Sequence, residues 1–266
     1  MKDNRNRYAL VTGGTSGIGY ELVKLLAEDG YNLVIVARDE SGLNTVASEL
    51  EGSFGIEVIT MSKDLFDPRN AFAVYEEMRH KNLEISILIN DAGQGQYGLF
   101  TETDILRELD IIQLNISSLV VLTKLFLRDM IARGSGRIMN LSSIASKVPG
   151  PRQAVYHGTK AFVQSFTEAV RSEVKETGVS VTALLPGATA TDFFNKAEMN
   201  ESKIVQEEKL DDAKKVAKDG YEAMMNGDDM VISGFKNKMQ VGMANITPDA
   251  KVADKMKKQQ APVDHK

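Results

Sequence analysis

The sequence predicts an α/β fold in which one doubly wound parallel sheet of about seven strands lies between two layers of helices. Three observations point there. Short β-branched runs alternate with longer helical patterns along most of the chain. Those runs are apolar throughout, as strands buried on both faces are. The first run also passes straight into a glycine-rich turn, TGGTSGIG (12–19), where a helix begins.

The elements follow in order. YALVT (8–12) precedes a helical stretch from Ile18 to about Asp29. NLVIVA (32–37) leads to a second near Ser41–Leu50, and IEVITM (56–61) to a third from about Pro68 to Lys81. ISILIN (85–90) comes before a long helical region between Thr103 and Arg133. GRIMNLS (136–142) introduces a helix carrying AVYHGTKAF (154–162), and VSVTALLP (179–186) follows. MVIS (230–233) is the expected seventh strand. Such alternation makes a single sheet with right-handed crossovers. Residues 187–228 interrupt it with a polar helical stretch bearing Phe193 and Phe194. A domain over 1–245 is expected, with a mobile substrate lid at about 192–212. Residues 246–266, rich in Lys, Gln and Asp, are expected to be a tail with a short helix and a frayed, partly disordered end.

The chain has 266 residues, 42% hydrophobic and 26% charged, with a formal net charge of −5. That acidic balance argues against a nucleic-acid or membrane-surface role, where a basic patch is expected. Cysteine is absent, so disulfides and thiol chemistry are excluded. The start reaches a strand-like run by Tyr8, so no signal peptide is expected, and no uninterrupted apolar stretch approaches the ~20 residues that span a bilayer. A cytoplasmic protein is expected. Three histidines without ligand spacing predict no metal site.

Glycines let the backbone turn sharply and approach a pyrophosphate, and the following helix offers free N–H groups and partial positive charge. The spacing in TGGTSGIG differs from GxGxxG, and no Gly-Lys-Ser/Thr closes it as in a P-loop. At the first strand-to-helix junction of a doubly wound sheet, it reads as a dinucleotide site. The second strand ends Val36-Ala37-Arg38, with Asp39 one position later. An arginine there suits the 2′-phosphate of NADP, so NADP(H) is expected over NAD(H).

Two Tyr–x–x–x–Lys pairs occur, Tyr20–Lys24 and Tyr156–Lys160, each on one helix face. Their surroundings separate them. The fifth strand ends Asn140-Leu141-Ser142-Ser143, at the sheet edge that faces the ligand crevice, thirteen residues before Tyr156. Ser143 is favoured over Ser142 as a hydroxyl that reaches a substrate carbonyl. Tyr20 has no such partner and is read as a packing or surface residue. His157 is expected to point off the Tyr–Lys face and receives no role.

The ordered set TGGTSGIG, Asp64, NDAG (90–93), Asn115, Ser143, YHGTK (156–160) and PGATAT (186–191) resembles the short-chain dehydrogenase/reductase family, in its single-domain branch. The resemblance implies a Rossmann-type domain that uses NAD(P)(H) to interconvert carbonyls and alcohols. It implies that Tyr156 is the general acid, that Lys160 lowers the tyrosine pKa from ~10 and holds the nicotinamide ribose, and that Ser143 donates to the substrate oxygen. Asn115 would hold a water linking Lys160 to solvent. Gly13, Thr15, Ser16, Gly17, Ile18 and Gly19 would cradle the cofactor, with Arg38, Asp64 and Leu65 at its adenine end. Asn90, Ala92 and Gly93 would line its middle, and Pro186, Gly187, Thr189 and Thr191 its nicotinamide end. NDAG departs from the usual NNAG and sets a negative charge at Asp91 beside the cofactor.

The substrate is expected over the nicotinamide, among Gln94, Gln96, Tyr97, Pro149, Gln153, Phe193 and Phe194. This lining suits a moderately apolar carbonyl compound. A homodimer or homotetramer through helices of 103–131 and 153–177 follows from the same resemblance. A catalytically silent dinucleotide sensor or partner-binding protein is the alternative, and Tyr156→Phe separates the two. An extended-type epimerase is disfavoured by the glycine spacing and the small C-terminal part.

Overall fold

The computed structural model describes residue 4 and residues 7–263. Residues 1–3, 5, 6 and 264–266, including the expected frayed end, lie outside the described residues. Among the described residues, a 7-stranded parallel sheet has the order β3-β2-β1-β4-β5-β6-β7. Its strands are β1 (Tyr8–Thr12), β2 (Asn32–Ala37), β3 (Val58–Ser62), β4 (Ile85–Asn90), β5 (Gly136–Leu141), β6 (Val179–Leu185) and β7 (Met230–Ile232). The expected fold class is the observed one. The third strand starts later than the apolar run suggested, because Asn32 Oδ1 takes the Glu57 amide at 2.9 Å.

Strand alternation explains why both faces are apolar. Ala9, Val11, Leu33, Ile35, Ile87 and Ile89 face a core beneath α1 (Gly17–Glu28), α2 (Glu40–Phe54) and α9 (Ala213–Asn226). The residues between them, Leu10, Val34, Val36 and Leu88, face the other core. That second layer comprises α3 (Pro68–His80), α4 (Ile105–Ile112), α5 (Leu119–Arg133) and α6 (Ala154–Glu173). Each fully buried leucine or isoleucine contributes roughly 1.5–3 kcal/mol relative to exposure.

Helix starts are marked by aspartates. Asp39, Asp67, Asp104 and Asp212 each accept from a backbone amide two residues on, capping α2, α3, α4 and α9. At α1 the cap residue is Ser16, which makes no such side-chain bond.

The long region after β4 is not one regular helix. A π-helical segment, Gln113–Ser118, joins α4 to α5. The whole run Ile105–Arg133 is, by length and composition, long and apolar enough to cross a membrane, unlike the expectation from uninterrupted apolar stretches. In the fold, Leu122, Phe126 and Met130 of this run pack on the sheet.

After β6 come two single turns, α7 (Phe193–Lys196) and α8 (Lys203–Gln206), then α9. The segment's feet are joined, since Asp211 N donates to Ala188 O at 2.8 Å and Ala190 N to Asp211 O at 2.9 Å. The chain ends with α10 (Phe235–Asn245) and α11 (Asp249–Gln259). The break expected at 245 is not a break in packing. Val252 and Met256 of α11 are buried, and the Tyr97 hydroxyl donates to the Gln260 carbonyl at 2.5 Å. Residues past α11 also pair with the α7–α8 segment, through Lys203 N to Ala261 O at 2.9 Å and Val263 N to Glu201 O at 2.8 Å.

Leu88 is 0% exposed at the middle of the sheet. Leu88→Ala should lower the unfolding free energy by about 2–5 kcal/mol, read from urea denaturation. A loss below about 1 kcal/mol would show that the site collapses around the smaller side chain.

Candidate active site

The strand order reverses between β1 and β4, which opens a crevice at their C-terminal ends. A cavity of about 810 Å³ occupies it and extends past the ends of β5 and β6.

The first wall is the glycine turn, where Gly13, Thr15, Ser16, Gly17 and Ile18 line the cavity. Gly13 and Gly17 have φ of +79° and +58°, which disfavour any side chain. A Cβ on Gly17 would lie 2.9 Å from Thr191 Cγ2, so the turn closes directly on the opposite wall. With no side-chain cap from Ser16 and no acidic residue in its first turn, α1 presents N–H groups to the cavity. This donor set fits a dinucleotide pyrophosphate. Gly19 is not at the surface: a Cβ there would collide with the Gly13 carbonyl and the Asp91 carboxylate.

Arg38, Asp64 and Leu65 line one end of the cavity. The Arg38 guanidinium lies over the Phe66 ring, 5.0 Å from its centroid. Asp39 also borders the cavity, but its carboxylate accepts from Ser41 N at 3.1 Å and so caps α2. Lys63, which the sequence reading omitted, adds a second cation beside Arg38. Asp64 Oδ1 accepts from Phe66 N at 3.1 Å, fixing the loop after β3.

Ala92 and Gly93 line the middle, and Pro186, Gly187, Thr189 and Thr191 the far side. Asn90, expected beside them, is buried within the sheet instead. Its Nδ2 donates to Asn140 Oδ1 at 2.8 Å and to Thr123 Oγ1 at 3.1 Å, joining β4, β5 and α5. Asn115 sits below the cavity lining, in the π-helical segment. It accepts from Gln94 N at 3.0 Å, donates to Gln94 O at 2.9 Å and donates to Thr159 Oγ1 at 3.0 Å. It therefore braces the loop after β4 against α6.

Ser143, Tyr156 and Lys160 all line the cavity. The Ser142 hydroxyl donates to the Lys160 carbonyl at 2.8 Å and anchors α6, which leaves Ser143 as the serine bonded to Tyr156. Desolvation pushes the Tyr156 phenol up to about 12, against the opposing Ser143 bond. The expected lowering by Lys160 is thus corrected: its Nζ lies 5.8 Å from the ring centroid, and burial dominates. Lys160 Nζ donates to the Leu141 carbonyl at 2.9 Å. Burial brings this ammonium down to about 8, while the Asp91 charge favours keeping it. Burial in turn pushes Asp91 up to about 7, opposed by Lys160 and by the bond from the Gly19 amide. Tyr20 is elsewhere, bonded to Glu49 Oε1 at 2.7 Å.

On the substrate side, Gln94, Gln153, Phe193 and Phe194 line the cavity, and the Phe193 ring lies 5.0 Å from that of Tyr156. Gln94 Oε1 is held by Arg107. Tyr97, Gln96 and Pro149 do not line it. Tyr97 packs against the small Phe194–Ala197–Met199 cluster, and Gln96 Nε2 bonds Glu198 at 2.8 Å. Two more residues line this side, Gln260, which the sequence reading passed over, and His157, which it gave no role. His157 is 5% exposed, its Nδ1 lying 2.8 Å from the Val148 carbonyl. Gln260 continues the four-residue spacing of Val252 and Met256, a face that the sequence does show. Among the described residues, no cluster of His, Asp and Glu is arranged to hold a metal.

Comparison with known proteins agrees with this geometry. The family model described as short chain dehydrogenase matches residues 7–202. The chain belongs to the short-chain dehydrogenase family. A very-long-chain 3-oxoacyl-CoA reductase of Mycosarcoma maydis is 36% identical over 187 residues, 68% of this chain and 52% of that one. The mouse protein of that name is 32% identical over 193 residues, 69% of this chain and 60% of its own. The chain thus spans little more than half the length of these curated relatives. An uncharacterized oxidoreductase of Staphylococcus epidermidis is 29% identical, covering 80% of this chain and 91% of that one. Among solved structures, a short-chain dehydrogenase from Sphingobium yanoikuyae in complex with NADPH has a TM-score of 0.81 at 27% identity, covering 94% of this chain and 99% of its own.

Gly19→Ala tests the cradle. The added methyl must displace the Gly13 carbonyl or Asp91, so NADPH affinity should fall at least about tenfold in a fluorescence titration. Unchanged affinity in a folded variant would mean the turn is not the pyrophosphate site.

Proposed function

We propose that the chain is an NADP(H)-dependent reductase that interconverts a ketone and a secondary alcohol. The observation that carries this is the convergence of Ser143, Tyr156 and Lys160 on the cavity that the glycine turn enters. The NADPH-bound neighbour and the relatives named as 3-oxoacyl-CoA reductases support the same class of chemistry. Arg38 and Lys63 are the cations for the 2′-phosphate. The cofactor supplies hydride when bound.

The chain's residues handle the proton and the charge. A phenol held near 12 stays protonated at neutral pH and donates to the carbonyl oxygen as negative charge develops. Ser143 donates to the same oxygen. Lys160 sets a positive charge beneath them, and Asn115 positions the loop and α6 that frame them. The Phe193-bearing segment is the lid, excluding water from the reacting carbon. A homo-oligomer joins through the helices of 103–131 and 153–177, supported by Ile105, Leu106 and Leu109 being 60%, 67% and 52% exposed. A cytoplasmic location fits a long apolar helix whose buried face lies on the sheet.

Two measurements test the reading. Tyr156→Phe should lower turnover about 100- to 10,000-fold while NADPH still binds, and retained turnover would remove the tyrosine from the chemistry. Arg38→Asp should weaken NADPH about tenfold or more and leave NADH less affected. A variant with unchanged NADPH-to-NADH preference would move the 2′-phosphate elsewhere.

The pH profile carries a further expectation. The Lys160 ammonium persists below about 8 and is lost above it, so kcat/KM for reduction should fall as pH rises through that value. Asp91→Asn removes the charge that favours the ammonium and should move the fall to lower pH. A fall that stays in place would show that Asp91 does not act on Lys160.

A further inference from the structure

Two carboxamides meet at the cavity wall, Gln153 just before α6 and Gln260 just after α11. They are 4% and 2% exposed, and both line the cavity. Gln260 Nε2 lies 3.3 Å from Gln153 Oε1 and 3.2 Å from His157 Nε2.

His157 sets the direction of these bonds. Its Nδ1 lies against the Val148 carbonyl, which only accepts, so Nδ1 carries a proton. Burial holds the ring below its usual pKa, so Nε2 is an acceptor. The Gln260 nitrogen must then face His157, which fixes the orientation of that amide. It donates to His157 and to Gln153 Oε1. Gln260 Oε1 and Gln153 Nε2 remain, both buried and both without a hydrogen-bond partner in the protein. Leaving such a group unmet carries the full penalty of its desolvation.

The unmet donor is next to the chemistry. A Cβ on Gly95 would lie 3.4 Å from Gln153 Nε2 and 3.3 Å from the Tyr156 ring. Phe193, Met199 and Met256 supply apolar surface around the pair.

We infer that Gln153 and Gln260 bind a hydroxyl of the substrate, separate from the carbonyl that is reduced. The hydroxyl donates to Gln260 Oε1 and accepts from Gln153 Nε2. It is the smallest group that does both, whereas an ether only accepts and a methyl does neither. This rests on the reductase reading of the same cavity and narrows the substrate class to hydroxylated ketones.

The test uses straight-chain methyl ketones with a terminal hydroxyl, in a series of chain lengths, each beside its methoxy and deoxy counterparts. NADPH-dependent reduction is measured for the wild type, Gln153→Leu and Gln260→Leu, with NADPH fluorescence confirming that each protein is folded. At the fitting length, wild-type kcat/KM for the hydroxy ketone should exceed both counterparts at least about tenfold, mainly through KM. Either leucine variant should erase that ratio. Equal values across every trio, or a preference that survives both variants, would overturn the inference while leaving the reductase reading intact. NADPH binding with no ketone reduced would overturn the reductase reading and this inference with it. The wild-type comparison needs no variant to fold.

Discussion

The register of the parallel sheet is the constraint on which the site depends. Thr12 pairs with Asn90, Asn90 with Asn140 and Asn140 with Ala183, so four strands end nearly level. A side-chain bond from Asn90 to Asn140 holds that level, and Asn140 Nδ2 extends it to Thr167 on α6 at 3.0 Å. A slip of one residue would move a strand's whole set of side chains to the opposite face of the sheet. It would also part the glycine turn after β1, the NDAG loop after β4 and Ser143 after β5. The polar ladder therefore aligns the loops that carry chemistry, while apolar contacts on both faces supply most of the stability.

Around that edge, buried charge is managed locally. Lys160 is 6% exposed, an expensive place for an ammonium. The Leu141 carbonyl and the Asp91 charge hold it there. Asp91 also takes the Gly19 amide, so one carboxylate touches both the cofactor turn and the lysine's field. The effect is a Lys160 that changes charge closer to neutrality than a free lysine, beneath a tyrosine that does not.

Much of this was legible in the sequence. Apolar runs of strand length, separated by helical patterns, carry their own periodicity, and Ser16 to Gly19 can serve few purposes at a first strand–helix junction. Tyr156 and Lys160 were separable from Tyr20 and Lys24 because the serine that matters lies upstream of only one pair. Other features rest on long-range contacts that no local pattern encodes. Asn90 ends its strand as expected but reads as lining the cofactor; its side chain is instead bonded within the fold, to partners 33 and 50 positions away. The π-helical turn at Asn115 has no sequence signature of its own. Tyr156 acidity follows from desolvation, a property of the assembled site, so a neighbouring lysine misled. Gln260 lies on a four-residue spacing that the sequence shows, but within a polar composition that resembles a tail.

The route of the chain beyond α10 has a consequence for how the protein comes to be made. The cofactor cradle, Ser143, Tyr156 and Lys160 all precede residue 192. The Gln153–Gln260 contact spans 107 positions, and the same late segment pairs with the α7–α8 turns. The residues that build the two ends of the cavity are therefore made at different times. The Gln153–Gln260 contact closes only after the glycine turn, Ser143, Tyr156 and Lys160 have all been made.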